Sequence, residues 1–252
     1  MKRKTKKKSA LDLLPAQKVS GLIDGMAVLQ ELAVSDHPVS GLELSKKIGL
    51  SPVRVNRLLR TFAYLGYTTR TQSRKYAVGV GMHVLAAQSM VASGLLRRAF
   101  QYLEELVNEV TTVALGVLWK DQICYLFHES GKKSMGEGIG LHYLFPAKDS
   151  SVGVALLAEL SDQKIESIYH GDPPFDLLEK VAETRRRGYG LMYNTKKNLP
   201  SSKVDHYSMA VCIGHPAYAG LAVSGMRNKE ELPKLLDHLR QYAALIENGP
   251  VS

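Results

Sequence analysis

The chain has only two cysteines in 252 residues, Cys124 and Cys212, each inside a strand-like apolar segment. That placement excludes a disulfide framework and suits free thiols in a reducing cytoplasm. No apolar run approaches the roughly 20 residues of a membrane span, so no membrane partner is expected. The basic N-terminus lacks the uninterrupted apolar stretch of a secretion signal, because Asp12, Pro15, Gln17 and Lys18 break it up. A cytoplasmic location is therefore expected. Also missing are a phosphate-binding P-loop, a dinucleotide-binding glycine pattern and the elbow or triad order of a hydrolase. Cys212 and His215 make a C-x-x-H, and Cys124 and His128 lie four apart, but no second cluster follows at metal-finger spacing. Residues four apart on a strand share a face yet stand far apart, which does not suit a zinc site. No internal repeat is present. The expectation is a non-enzyme with no cofactor and no metal.

Acidic residues are scarce in one part of the chain only. Residues 1–80 carry 15 Lys and Arg against 5 Asp and Glu; residues 81–252 carry 18 against 19. The whole-chain charge of +9 thus sits in the first third. Such asymmetry is the electrostatic footprint of a nucleic-acid-binding part joined to a part with another task. A basic excess displaces counterions from a polyanion and gives affinity without sequence preference. Within it, Lys2–Lys8 (KRKTKKK) is too polar to fold and reads as a disordered arm, either tracking phosphates or merely solvated.

Local patterns divide the chain further. Ser20 is placed to cap a first helix to about Ala33, with Leu22, Met26, Leu29 and Ala33 on one face. Ser40 and Glu43 have capping-box spacing, so a second helix runs to about Ile48 and ends at Gly49. Ser51 followed by Pro52 starts a third helix. There Val55, Leu58, Leu59, Phe62 and Leu65 form an apolar arc opposite Val53, Asn56, Arg57 and Arg60, with Arg54 and Thr61 flanking. A short hairpin around Gln72-Ser73 carries Arg70, Arg74 and Lys75 at or near its tip. Two helices, a Gly-containing turn and a basic hairpin outline a winged helix-turn-helix, which places one helix in the DNA major groove.

Beyond it, 81–93 is a helix with many apolar residues and few charges, read as a connector that packs against a partner. An amphipathic helix follows with Phe100, Leu103, Leu106, Val107 and Val110 inward. Paired strands at 112–119 and 122–127 come next, then helices at 150–160, 161–169 and 175–187, and strands at 189–193, 207–213 and 218–224. Asn228 and Glu231 are placed to cap a last helix with Leu232, Leu235, Leu236, Leu239 and Ile246 inward. Hairpins with interspersed helices predict an α+β class. The expected organisation is a basic tail at 1–17, the DNA-binding domain at 18–79, a linker helix at 80–95 and a second domain at 96–252.

In order, these pieces resemble the IclR family of bacterial transcription regulators. The matching stretches are GLELSKKIGLSPVRVNRLLRTFAYLGYTTR, RKYAVGVGMHVLA, EELVNEVTTVALGVL, SSVGVALLAEL, ETRRRGYGL, and the late pair MAVCI and GLAVSG. The resemblance implies a winged helix-turn-helix, a linker helix and a GAF-like effector-binding domain. It also implies a homodimer or homotetramer on a pseudo-palindromic operator in double-stranded DNA. By position it places Ser51, Val53, Arg54, Asn56 and Arg57 at the DNA. Arg pairs bidentately with guanine and Asn with adenine, and Arg60, Arg70, Arg74 and Lys75 are expected on phosphates. It implies an effector site at Ser150, Ser151 and Val152, a turn before a helix whose N–H groups can receive a carboxylate. Ser208, Ala222 and Ser224 match pocket-facing strand positions. The loop from Asn194, with Lys196, Lys197 and Lys203, suggests an anionic effector, carboxylate or phosphate. The chain departs from the family pattern at Lys148, where a His is usual, at residues 193–196 in place of an acidic stretch, and in a short Gly214–Ala217 turn. The alternatives are a constitutive DNA-binding protein with a non-sensing dimerisation domain, or an enzyme in the second domain.

Overall fold

The computed structural model of the chain describes residues 18–109, 112–129, 144–195, 197 and 204–249. The basic arm, Val110, residues 140–143, Lys196 and Lys203 lie outside the described residues. The chain forms two compact units, Met1–Ser89 and Met90–Ser252.

In the first unit, α1 (Ser20–Ala33), α2 (Gly41–Ile48) and α3 (Pro52–Tyr64) precede an antiparallel hairpin of β1 (Thr68–Arg70) and β2 (Tyr76–Val78). Val39 bridges Tyr76, adding a third extended segment beside the hairpin. The start of α2 is fixed by a complete capping box: Glu43 N–H donates to Ser40 Oγ, and Ser40 N–H donates to the Glu43 carboxylate. Ser51 caps α3 by accepting from Arg54 N–H, ahead of Pro52. Val28, Leu32, Leu44, Val55, Leu59 and Tyr76 close a single core between these elements. Two expectations for α1 are corrected. Ser20 is its first helical residue rather than its cap, since Val19 holds that position without a side-chain bond and the Ser20 hydroxyl faces Arg54. The buried face is Gly25, Val28, Leu29 and Leu32, while Leu22, Met26 and Ala33, expected inward with Leu29, are exposed because they lie to one side of that stripe.

The helix α4 (Val80–Ser93) contains the division between the units and has no buried residue. In the second unit come α5 (Leu95–Glu109), β3 (Thr112–Trp119), β4 (Gln122–Glu129) and β5 (Leu144–Pro146). Then follow α6 (Ser151–Ala158), α7 (Asp162–Ile168), α8 (Leu177–Arg187), β6 (Gly190–Asn194), β7 (His206–Ile213), β8 (Ala219–Met226) and α9 (Leu232–Asn248). The six strands make one sheet in the order β5-β4-β3-β8-β7-β6, each neighbouring pair antiparallel. Successive side chains on a strand point to opposite faces. Val113, Leu115, Met209, Val211, Leu221 and Val223 therefore share one face, packed under α5 and α9. Ala114, Ala210 and Ala222 share the other, packed with α6 and α8.

Only α6 is buried over nearly its whole length, as expected of a helix that is apolar all round. The inward face of α5 is Leu95, Ala99, Leu103 and Leu106; Phe100, expected inside, is exposed because it lies one position off that stripe. Asn228 precedes a 3-10 turn at Lys229–Glu231 without a side-chain cap bond, and α9 starts after it. The α6 helix seats so closely that a Cβ at Gly153 would overlap the carbonyl of Ala147, and one at Gly190 the carbonyl of Ser151. Both collisions are with backbone, which cannot rotate away. Gly153→Ala is thus expected to destabilise the second unit by about 1–3 kcal/mol, read as a lower denaturation midpoint with the first unit's transition unchanged.

Candidate DNA interface and ligand cavity

Around the axis of α3, successive residues turn by roughly 100°. Val55 and Leu59 face the core, and Val53, Arg57, Arg60 and Tyr64 fall on the opposite stripe, all exposed. Val53 is 73% exposed and Tyr64 90%. The two other candidate base-reading residues stand to either side and are engaged within the unit. Arg54 Nε makes an ion pair with Asp24 of α1, and its Nη2 lies 3.4 Å from Ser20 Oγ. Asn56 Nδ2 donates to the Pro52 carbonyl at 2.9 Å, and its amide packs so closely on Gly41 that a Cβ there would collide with it. Ser51 spends its hydroxyl on the α3 cap. Of the five residues placed at the DNA, Val53 and Arg57 thus carry no side-chain partner in the described contacts.

The hairpin tip is built by Thr71, whose Oγ accepts from Lys75 N–H while Arg74 N–H donates to the Thr71 carbonyl. Arg74 holds a left-handed φ of 60° and is exposed. Arg70 lies over the Tyr76 ring at 5.9 Å. Arg70, Arg74 and Lys75 therefore cluster on one short hairpin.

In the second unit a cavity of about 450 Å³ opens over the alanine-bearing face of the sheet. Its floor follows from strand register. Thr112 pairs with Ser224 and Ser208 pairs with Ser224, so three hydroxyls form a row across β3, β8 and β7. One step along, Ala114, Ala222 and Ala210 form a parallel row, and His128 continues it on β4. Asn194 and His206, paired on β6 and β7, close one side. His206 Nδ1 lies 3.0 Å from the Val204 carbonyl, which can only accept, so Nδ1 carries the proton and Nε2 faces Asn194 Nδ2 at 3.3 Å. The opposite wall is aromatic: Tyr125 meets His128 edge-on at 5.3 Å and tilts against Phe145 at 6.4 Å.

Ser150 and Ser151 bring the start of α6 to the cavity. Ser150 Oγ accepts from Gly153 N–H and shares a 2.8 Å hydrogen bond with the Tyr125 hydroxyl. Val154 N–H donates to the Ser150 carbonyl. A helix leaves its first four N–H groups without intrahelical acceptors, and these two bonds leave Ser151 and Val152 as donors. Lys148 spends its charge on Asp149 at 2.9 Å, and that carboxylate borders the cavity.

Six of the seven expected effector residues thus line one cavity: Ser150, Ser151, Asn194, Ser208, Ala222 and Ser224. The seventh, Val152, sits in the core beneath α6, its side chain against Gly220. Residues that sequence reasoning missed are Thr112, Ala114, Tyr125, His128, Phe145, Asp149, His206 and Val223. For those on strands the signal was strand register, which is not visible before the strands are paired; Asp149 directly precedes the expected turn at Ser150.

No metal-binding group of three or more His, Cys, Asp or Glu exists among the described residues. His215 pairs with Glu247 at 3.2 Å rather than with Cys212. Burial pushes the Cys212 thiol up to about 12, and raises Cys124 as well, so neither is a thiolate near neutral pH.

No protein-family model matches the chain. It is 26% identical over 201 residues to the transcriptional repressor IclR of Escherichia coli K12, covering 73% of each chain. It is 25% identical over 186 residues to the acetate operon repressor of Salmonella typhimurium LT2, covering 68% of each. The chain is a transcriptional regulator similar to these IclR-type repressors. Its fold matches that of an IclR-family regulator from Brucella abortus with a TM-score of 0.75 at 21% identity, over 96% of this chain and 97% of that one. It also matches an IclR homologue from Microbacterium hydrocarbonoxydans complexed with 4-hydroxybenzoate, with a TM-score of 0.64 at 20% identity, over 90% and 97%. DNA binding follows from the regulator class. No described helix of the chain is long and apolar enough to cross a membrane.

Its cavity has a titratable group that can be tested directly. Burial holds the His128 imidazole below its ordinary value of 6.5, against the opposing pull of Glu129. The unfolded chain therefore takes up that proton first as pH falls. The contribution is present above about pH 6.5 and lost below it. The thermal midpoint of the second unit is expected to fall between about pH 7.5 and about pH 5.5, and His128→Gln to make that fall shallower. An unchanged slope in the variant counts against the assignment.

Proposed function

We propose that this IclR-type regulator grips a pseudo-palindromic operator as a two-fold dimer, and that a small carboxylate in the second-unit cavity controls it. The DNA reading is carried by the stripe Val53, Arg57 and Arg60 on α3, with Arg70, Arg74 and Lys75 on the adjoining hairpin. A helix face that is basic, exposed and free of acidic residues suits the major groove, and a short basic hairpin suits phosphates. The dimer reading is supported by α4, a 14-residue apolar helix with no buried residue, whose Val80, Val84, Leu85 and Val91 are exposed. A second copy related by a two-fold axis would cover that surface and match a palindromic site.

The ligand reading is supported by what the cavity offers an anion. Its described lining has no Lys or Arg; the donors are the Ser151 N–H at the start of α6 and the hydroxyls of Thr112, Ser208 and Ser224, and the Asp149 carboxylate at its border is paired with Lys148. A helix N-terminus offers about half a positive charge. That suits a singly charged carboxylate better than a phosphate dianion. A fold neighbour complexed with 4-hydroxybenzoate is consistent with this choice. A constitutive DNA-binding protein would have no use for such a cavity. Burial of both thiols argues against a cysteine nucleophile in the second unit.

On the DNA side, Arg57→Ala is expected to relax preference for the selected duplex by about 1–3 kcal/mol. Arg74→Ala should weaken all duplexes alike and reduce the slope of log affinity on log salt by about one. Equal behaviour of the two variants in a salt-titrated binding assay would refute the division between base and phosphate contacts. On the ligand side, calorimetry with a panel of small carboxylates, phosphates and neutral amides should find binding among the carboxylates. Ser208→Ala is expected to weaken it about fivefold, the worth of one hydrogen bond. Binding confined to neutral or cationic compounds would remove the carboxylate reading.

A further inference from the structure

We propose that Val53 is a specificity-determining residue that contacts the 5-methyl group of a thymine within two base pairs of the guanine engaged by Arg57. The inference rests on the DNA reading above and adds the chemistry of one base position to it.

Val53 lies in the first turn of α3, where a recognition helix brings its N-terminal residues to the base edges. It is 73% exposed, and its neighbours in sequence turn away from it: Pro52 starts the helix, and Arg54 is held by Asp24 and Ser20 of α1. Asn56 is likewise held, by the Pro52 carbonyl and by packing on Gly41. The groups left to meet a base at this end of the helix are therefore Val53 and, one turn on, Arg57. A valine has no donor or acceptor, so neither a phosphate nor a polar base edge rewards it. In the major groove the thymine methyl is the apolar feature, and apolar side chains recognise it. Four residues of helix rise about 6 Å, and stacked base pairs are about 3.4 Å apart. A helix lying along the groove thus sets Val53 and Arg57 within about two base pairs of each other.

The test uses the full chain and a duplex selected by it from a random pool. Each thymine is then replaced by deoxyuridine, which removes the methyl group and leaves every hydrogen bond in place. Wild-type protein is expected to lose about fourfold in affinity at one thymine in each half-site, the worth of one buried methyl. Val53→Ala should bind the parent duplex more weakly by a similar factor and no longer distinguish thymine from deoxyuridine there. Val53→Ile, which keeps the branched apolar surface, should retain the distinction. Because the site is exposed, both variants should melt at the wild-type temperature. The proposal is overturned if no thymine methyl affects wild-type binding, or if Val53→Ala still discriminates fully. It is also overturned if the sensitive thymine lies more than two base pairs from the guanine whose preference Arg57→Ala abolishes. If the pool yields no preferred duplex, the DNA reading itself fails, an outcome distinct from the others.

Discussion

The cavity of the second unit exists because the central strands carry large apolar side chains on one face and small ones on the other. On β3, β8 and β7 the large residues pack beneath α5 and α9, and alanines lie beneath α6. Alanine rows let α6 come close, to the point that Gly190 on β6 and Gly220 on β8 leave no room for a Cβ beneath it. One step along the same face, the alanines give way to Thr112, Ser224 and Ser208, and the space above them is left open. Ser208 is buried and Thr112 and Ser224 are half-buried, so the row of hydroxyls faces the open space beside the N-terminus of α6.

The first unit depends on a different economy of side chains. Its core is small, and the helix ends are fixed by Ser40, Glu43 and Ser51 rather than by extensive packing. The α3 helix is tied to α1 through Arg54 and Asp24, and to α2 through Asn56 against Gly41. These contacts set the angle at which α3 presents its outer stripe. Arg54 and Asn56 are thus engaged within the unit, and Val53, Arg57 and Arg60 form the exposed outer stripe of α3.

Much of the fold was legible because its signals are local. The capping box at Ser40-Glu43, the Ser51-Pro52 start and the glycines at 49 and 188 depend on residues within one turn of each other. Short apolar runs at 112–119 and 207–213 read as strands for the same reason. What depended on distant partners was less legible. The outward position of Leu22, Met26 and Phe100 reflects which side of each helix its neighbours cover, and β5 is too short to announce itself. In the cavity, Ser208, Ala222 and Ser224 came from a resemblance. Thr112, Tyr125, His128 and His206 needed the pairing register to bring them to the same face.

By itself, the sequence determined the basic first third, the boundaries of α2 and α3 in the DNA-binding module and the existence of most strands, because charge, capping and local propensity act over a few residues. Tertiary structure decided which exposed residues on α3 are free and which are held. It also decided which strand positions meet in the cavity. Both outcomes are set by contacts between segments far apart in the chain, and no local pattern encodes those.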